Sequence, residues 1–366
     1  MAATLTKRER VLRTARFEDV DRIATYDILE NDAVIEHYAG EAPTVENGVQ
    51  VKARAIARCL DMTRMLGGPS EPGVIRNDAG FAWRVERWTS WIVERPWRDF
   101  DGFVAWLKTH VRELKRTAPD VDSLRQQAHD YLRRHTDYMA QDADDPNDLP
   151  VIALESGVGL TEIYALPGLE YFSILLCTQP DLAEDWFEAR NQAELRRVEA
   201  IADPELLPVV LTYDDLASKN GPLFSPDWLR THFTPRLTRL VEAWHAHGAL
   251  CLFHSDGNLM PILDDLAATG IDGLNPIETC AGMSIREVRR RQPHLFIAGG
   301  IDVSQLLPHG TPDDVRARCI EAIAEADGRG FFLGSTTELF PSVPAANAVA
   351  MFETPKALAQ RDHFCT

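Results

Sequence analysis

Beyond residue 150, short apolar runs alternate with longer stretches whose apolar positions recur every three or four residues. The short runs are Val151 to Ser156, Pro208 to Tyr213, Leu250 to Phe253, Gly273 to Ile277, Leu295 to Ala298 and Phe331 to Gly334. Their length and β-former content predict buried strands. The longer stretches predict helices. Pro180 to Ala202 carries Leu182, Trp186, Ala189 and Ala193 at helical spacing, and Pro235 must interrupt the helical pattern from Pro226 to His247. Leu259 to Thr269, Ser284 to Arg291 and a closing Ala345 to Ala359 complete the set. Ahead of residue 150 the pattern predicts a basic helix from Thr6 to Arg16 with Thr6 as its cap, and a first strand from Ile23 to Leu29. A helix from Ala53 to Cys59 and a weaker second strand from Leu60 to Leu66 follow. Eight strands in a strand–helix rhythm predict an α/β fold, a (β/α)8 TIM barrel formed by one domain over residues 1–366.

One region departs from the rhythm. The breaker GGPSEPG (Gly67 to Gly73) opens an insertion after strand two, spanning about residues 68–148. Alternation at Phe81, Trp83, Val85 and Arg87 predicts a β-hairpin. Helices from Phe100 to His110 and Val121 to Tyr138 follow, then the acidic loop QDADDPNDLP. Five of the eight tryptophans (Trp83, Trp88, Trp91, Trp97 and Trp106) lie in this insertion. Packed against the barrel wall they would form a satellite core; over the mouth they would act as a lid. The first role suits most of them, the second one or two.

Composition narrows the partners. A formal net charge of -18 argues against nucleic acid and against anionic membrane surfaces. Six cysteines without CxxC spacing read as free thiols of a reducing compartment. The charged N-terminus lacks the apolar core of a signal peptide, and no stretch is apolar enough to span a bilayer. A cytoplasmic enzyme with a small-molecule substrate is the expectation.

In a parallel barrel the strand ends deliver their residues to one face, where the chemistry sits. His254-Ser255-Asp256-Gly257 follows strand five, and a period of two puts His254 and Asp256 on the same side. That pattern suits a divalent metal, or an imidazole oriented by a carboxylate for acid–base work. The plainer reading is that Asp256 caps the next helix and His254 fills a polar pocket. Glu278 after strand six joins them, so His254, Asp256 and Glu278 are the candidate catalytic residues and candidate metal ligands. Tyr213 and Asp214 after strand four, Asn275, Asp302 after strand seven and Glu338 after strand eight are candidate substrate contacts. Grouped carboxylates repel unless a cation or proton holds them together; helix capping would account for about half. Gly299-Gly300 permits close backbone approach but lacks the phosphate-loop pattern.

Several segments together resemble the uroporphyrinogen decarboxylase superfamily, over most of the chain. They are RERVLRTARFEDVDRI, DDLASKNGPLFSPDWL, HSDGNLMPILDDLAATGIDGLNPIE, GGIDVSQLLPHGTPDDV and FFLGSTTELFPSVPAANAVAM. The resemblance implies the (β/α)8 barrel. It joins two branches, decarboxylases of many-carboxylate tetrapyrroles and zinc-dependent methyltransferases serving corrinoid proteins and thiols. The decarboxylases' Arg-rich MRQAGR segment corresponds here to TYDILENDAVIEHY, which has no arginine, and their GHG after strand eight is GSTTE. The methyltransferases' zinc-binding His-x-Cys corresponds to His254 and Asp256, and a later Cys ligand falls near Thr337 or Glu338. Oxygen in place of sulfur moves the preference away from a thiolate-rich zinc site. A His/carboxylate site could still hold zinc or a harder divalent ion, or equally no metal, with Asp256 working as an acid/base. The resemblance thus implies a methyltransferase or demethylase moving a methyl group from a small substrate to a thiol or to a corrinoid on a separate protein, in a homodimer. A decarboxylase or lyase of a small acid, and a barrel that binds a tetrapyrrole or corrinoid without catalysis, are the alternatives.

Overall fold

The computed structural model describes residues 4–64, 66–117, 120–141, 143 and 145–362. Eight parallel strands form the barrel: β1 (Ala24–Thr25), β2 (Met62–Arg64), β3 in two pieces (Val151–Ala153 and Glu155–Ser156), β4 (Val209–Tyr213), β5 (Leu250–His254), β6 (Gly273–Asn275), β7 (Phe296–Ile301) and β8 (Phe331–Ser335). β3 is split because its first piece pairs with β2 (Met62↔Val151) and its second with β4 (Glu155↔Leu211). The ring closes where β1 pairs with β8 (Ala24↔Phe332) and bridges to β2 (Tyr26↔Met62). The first strand is shorter than its apolar pattern predicts. Past Thr25, strand pairing among the described residues continues as isolated bridges at Tyr26 and Leu29.

Strand alternation explains the filling of the barrel. Ala24, Tyr26, Met62, Val151, Ala153, Val209, Leu211, Leu252, Phe296, Ala298 and Phe332 form one buried interior cluster. Val11 and Ala15 of the N-terminal helix (Lys7–Ala15) join it from below. That helix carries a full capping box, in which Thr6 accepts from the Glu9 backbone and Glu9 from the Thr6 backbone. The helices that follow the strands seal the outside, with Trp186, Phe233, Trp244 and Phe352 fully buried there. Pro235 divides the helical region after β4 into Pro226–His232 and Thr234–Ala246, as its missing N–H requires.

The barrel seam depends on one small residue. A Cβ on Gly334 would sit 1.8 Å from the backbone oxygen of Tyr26, on the neighbouring strand. Backbone cannot rotate away as a flexible side chain can, so β8 would have to leave β1. Gly334→Ala is expected to destabilise the fold by about 3 kcal/mol, at the upper end for overpacking, seen as a lower thermal midpoint. An unchanged midpoint would show that the seam yields freely.

The insertion holds a three-stranded antiparallel sheet (Gly73–Arg76, Ala82–Val85 and Ser90–Glu94), one strand more than the expected hairpin. Its helices are Phe100–Arg116 and Val121–Ala140. The loop after them, predicted from its acidity, is described except at residues 142 and 144. Phe81, Trp97, Phe103 and Trp106 pack edge to face and tilted, with Phe103 6.2 Å from Trp186 of the outer helix Pro180–Ile201. These aromatics form a core on the outside of the barrel. Trp88 does otherwise, as described below.

Candidate active site

Two residues beyond the last apolar layer, the same alternation turns polar. Arg64 follows Met62, Glu155 follows Ala153, Tyr213 follows Leu211, and His254 follows Leu252. Together with Asn275 at the end of β6, these side chains ring the C-terminal mouth of the barrel.

His254 is buried, and its Nδ1 lies 2.7 Å from Asn275 Oδ1. The Asn275 amide is oriented by donating its Nδ2 to the Ala298 carbonyl (3.3 Å). Its oxygen therefore faces the imidazole, so Nδ1 carries the proton and Nε2 keeps its lone pair. Burial and the Arg64 charge hold the His254 pKa below its ordinary value, so the ring is neutral. Asp256 Oδ1 stands 3.8 Å from that Nε2. It is buried without a hydrogen-bond partner among the described residues, an acceptor that asks for a cation or proton. Burial, then the Asp215, Glu338 and Glu278 charges, push the Asp256 carboxyl up to about 7. Asp215 completes the group, since donor atoms of Asp215, His254 and Asp256 lie within 4.8 Å of one another. The Asp256 backbone N–H (3.1 Å) and the Tyr213 hydroxyl (3.0 Å) both donate to Asp215.

The HxDG stretch folds this way for a local reason. Gly257 has φ +89°, and a Cβ there would meet the Ala217 and Ser218 backbone at 2.6–2.7 Å. The tight turn throws Asp256 toward β4, and the next helical turn begins only at Met260. Asp256 therefore caps nothing; Asn258 accepts from the Met260 N–H instead.

The other predicted residues divide. Glu278 accepts the Gly257 N–H at 2.6 Å and stands outside the metal-compatible group, whose third member is Asp215. Asn275 orients His254. Tyr213 lies 5.5 Å from the His254 ring and forms a wall of the mouth. Glu338 acts electrostatically on Asp256, His254 and Arg64, and its carboxylate accepts from Thr337. Asp214 and Asp302 serve loops. Asp214 is buried and accepts from the Gly159 and Thr161 N–H groups (3.1 and 2.7 Å), and burial pushes its carboxyl up to about 7. Asp302 accepts from the Ser304 backbone and hydroxyl. Cys280 is exposed, 3.4 Å from Glu278, and five cysteines are free thiols; Cys365 lies outside the described residues.

Sequence reasoning missed Arg64, Lys52, Tyr26 and Asp27. Arg64 pairs with Glu155 at 3.1 Å. Lys52 is 1% exposed, with its amine 5.0 Å from the Trp88 ring centre, and burial pulls its pKa down to about 8. Asp27 ties β1 to β8 by accepting the Ser335 N–H and hydroxyl (2.8 and 2.9 Å). Beside the mouth a cavity of about 570 Å³ reaches from the insertion helix at Leu124 to Glu155 and Tyr213.

A (β/α)8 barrel with an imidazole and two carboxylates gathered at its strand ends has the architecture of the barrel enzymes. Residues 109–358 match the model of the family described as Uroporphyrinogen decarboxylase (URO-D), and the chain belongs to that family. Among curated relatives, a uroporphyrinogen decarboxylase of Prochlorococcus marinus (strain MIT 9313) is 27% identical over 153 residues, 41% of each chain. One of Synechococcus sp. (strain CC9902) is 27% identical over 154 residues, 42% of each chain. The chain thus spans about two-fifths of the length of these relatives. A solved methyltransferase from Methanosarcina mazei superposes with a TM-score of 0.68 over 99% of this chain and all of its own, at 21% identity, which shows a shared fold. Among the described residues no helix is long and apolar enough to cross a membrane.

Proposed function

We propose that this chain is a methyltransferase or demethylase that takes a methyl group from a small methylated substrate in the barrel mouth. The acceptor would be a thiol or a corrinoid carried by a separate protein. The observation that carries the reading is the group formed by Asp215, His254 and Asp256, with an open Nε2 and an unpartnered buried oxygen. An imidazole and two carboxylates fit zinc or a harder divalent ion. When bound, such an ion would polarise the leaving group of the methyl donor. The chain's own residues do the rest. Asn275 fixes the His254 tautomer, Tyr213 and the Asp256 N–H hold Asp215 in place, and the ring of side chains aligns the substrate for in-line displacement. Glu278 stiffens the HxDG turn through Gly257.

Elemental analysis of the purified protein tests the metal, and methylation of cob(I)alamin from a panel of methyl donors tests the transfer. Carbon dioxide release from small acids is followed in parallel. Near-stoichiometric metal with methyl transfer supports the reading. Carbon dioxide release without methyl transfer would replace it with a lyase in which Asp256, poised near neutrality, donates the proton. The relatives' names favour that second reading.

The tautomer argument predicts a quieter variant. Asn275→Ala removes the acceptor that keeps the proton on Nδ1, and metal affinity is expected to fall by about 10–100-fold with the fold intact. Competition against a chelating dye measures it. An unchanged affinity would mean that Asn275 does not set the ring.

A further inference from the structure

Among the described residues, three His, Cys or carboxylate donors come within 4.8 Å of one another in two places. One is the group at the mouth. The other is His245, Cys251 and Asp272, at the opposite end of the barrel. β5 serves both, since His254 ends the strand at the mouth and Cys251 lies near its start. Three elements converge there. His245 is in the last turn of the helix Thr234–Ala246, which leads into β5, and Asp272 stands immediately before β6. Leu252 fills the barrel interior, so strand alternation turns Cys251 outward, toward the helices. The Cys251 N–H donates to Asp272 Oδ2 (2.7 Å), and the Asp272 N–H donates to the Cys251 carbonyl (2.9 Å). His245 Nε2 reaches the same Asp272 oxygen at 2.7 Å. The carboxylate is thereby held from two sides. The Cys251 thiol is free, fully buried, and makes no hydrogen bond among the described residues.

We propose that His245 Nε2, Cys251 Sγ and a carboxylate oxygen of Asp272 bind a zinc ion at the foot of β5 and β6, separate from any ion at the mouth. Zinc accepts a thiolate, an imidazole nitrogen and a carboxylate oxygen, with water completing four ligands. Magnesium and calcium prefer oxygen ligands alone, so the sulfur sets the choice. The side chains of His245 and Asp272 are 38% and 25% exposed, which leaves an entry path and a water position on the solvent side. Cys251 closes the inner side. The ion takes the place of the proton shared between His245 and Asp272, and the thiol releases its own proton to solvent. The role is structural. The ion clamps the end of one helix to the start of two strands, at the barrel end where residues serve stability rather than chemistry. Nothing in this site depends on methyl transfer.

Cobalt(II) is the probe, because a cobalt–thiolate bond absorbs in the near ultraviolet by charge transfer and cobalt bound to nitrogen and oxygen does not. The mouth group contains no sulfur, so the band reports this site alone. Chelator-treated protein titrated with cobalt(II) is expected to develop a saturable band that zinc then bleaches. The band should persist in His254→Ala and vanish in Cys251→Ala. His245→Ala should weaken zinc binding about 100-fold, read by competition against cobalt, and should fold, because a half-exposed ion pair adds little stability. Zinc should raise the thermal midpoint of His254→Ala protein and leave that of the His245→Ala, His254→Ala double variant unmoved. No band in the wild type at saturating cobalt would overturn the proposal. So would a band that survives Cys251→Ala, which would place the thiolate at an exposed cysteine such as Cys177 or Cys280, or zinc bound as tightly by His245→Ala as by the wild type. A band from protein that takes no ion at the mouth would uphold this site and remove only the metal-assisted reading of the mouth.

Discussion

On the proposed reading, His254→Ala is expected to lower methyl transfer by about 10³-fold or more and to abolish divalent-ion binding at the barrel mouth. The imidazole is the one nitrogen donor of the group, and its neighbours cannot take its place. Asn275 Oδ1 faces the ring but is held by the bond from its amide to Ala298, and Tyr213 is committed to Asp215. Removing His254 leaves Asp215 and Asp256 facing each other without the neutral donor between them, and two carboxylates alone hold a divalent ion less well. Asp256→Ala should fall in the same range, because its Oδ1 is an acceptor that no group among the described residues satisfies. Glu278→Gln gives the contrast. Its oxygen accepts a backbone N–H, which the amide oxygen can still do, so a loss of about ten-fold or less is expected. Metal content, turnover and thermal midpoint read together decide the matter. His254→Ala protein that keeps its metal and its activity would remove the site from this group altogether.

That His254 and Asp256 would meet was legible because strand alternation and the barrel's single active face fix where consecutive strand ends point. Sequence reading takes Asp214, and the structure puts Asp215 in the group instead. Two adjacent acids leave a strand in opposite directions, and only the fold shows that Asp214 turns inward to the Gly159 and Thr161 amides while Asp215 faces the mouth. Glu278 looked equivalent to Asp215 from sequence because it too ends a strand; the tight turn at Gly257 engages it first.

Arg64 was legible in principle. It stands two residues after Met62, so it takes the same interior face one layer higher, but its strand is short and weakly patterned. Lys52 carried no such signal. A lysine on a helix is ordinarily solvated, and its burial follows from Trp88, a residue 36 positions later in an insertion whose packing the barrel rhythm does not predict. Arg64 of β2 thus gives the mouth one cation that the arginine-free stretch after strand one did not imply.

Asp61→Ala is expected to destabilise the protein by about 3–5 kcal/mol, the cost of leaving a buried charge partner uncompensated. Asp61 sits fully buried at the foot of β2. It accepts from Arg10 Nη1 (2.8 Å), from both terminal nitrogens of Arg22 (2.7 and 2.8 Å) and from the Thr25 N–H (2.9 Å). These bonds join the N-terminal helix, β1 and β2 beneath the barrel floor. Arg10 retains Asp21 (2.7 Å) when Asp61 is lost, whereas Arg22 loses its ion pair, so most of the cost falls on Arg22 and on the orphaned Thr25 N–H. Burial alone would raise the Asp61 carboxyl, but the Arg22 and Arg10 charges and the backbone bond hold it below its ordinary value. The sign of the pH dependence follows. With the folded pKa below the unfolded one, about 4, the stabilisation is complete above that value and is lost as pH falls through the folded pKa. The gap in urea midpoint between wild type and Asp61→Ala should therefore be constant near neutrality and shrink in acid. Asp61→Asn keeps the shape and an acceptor without the charge, so its midpoint should lie between the two. A gap that widens on acidification would mean that Asp61 is protonated in the folded protein, and that the two arginines are held by something else.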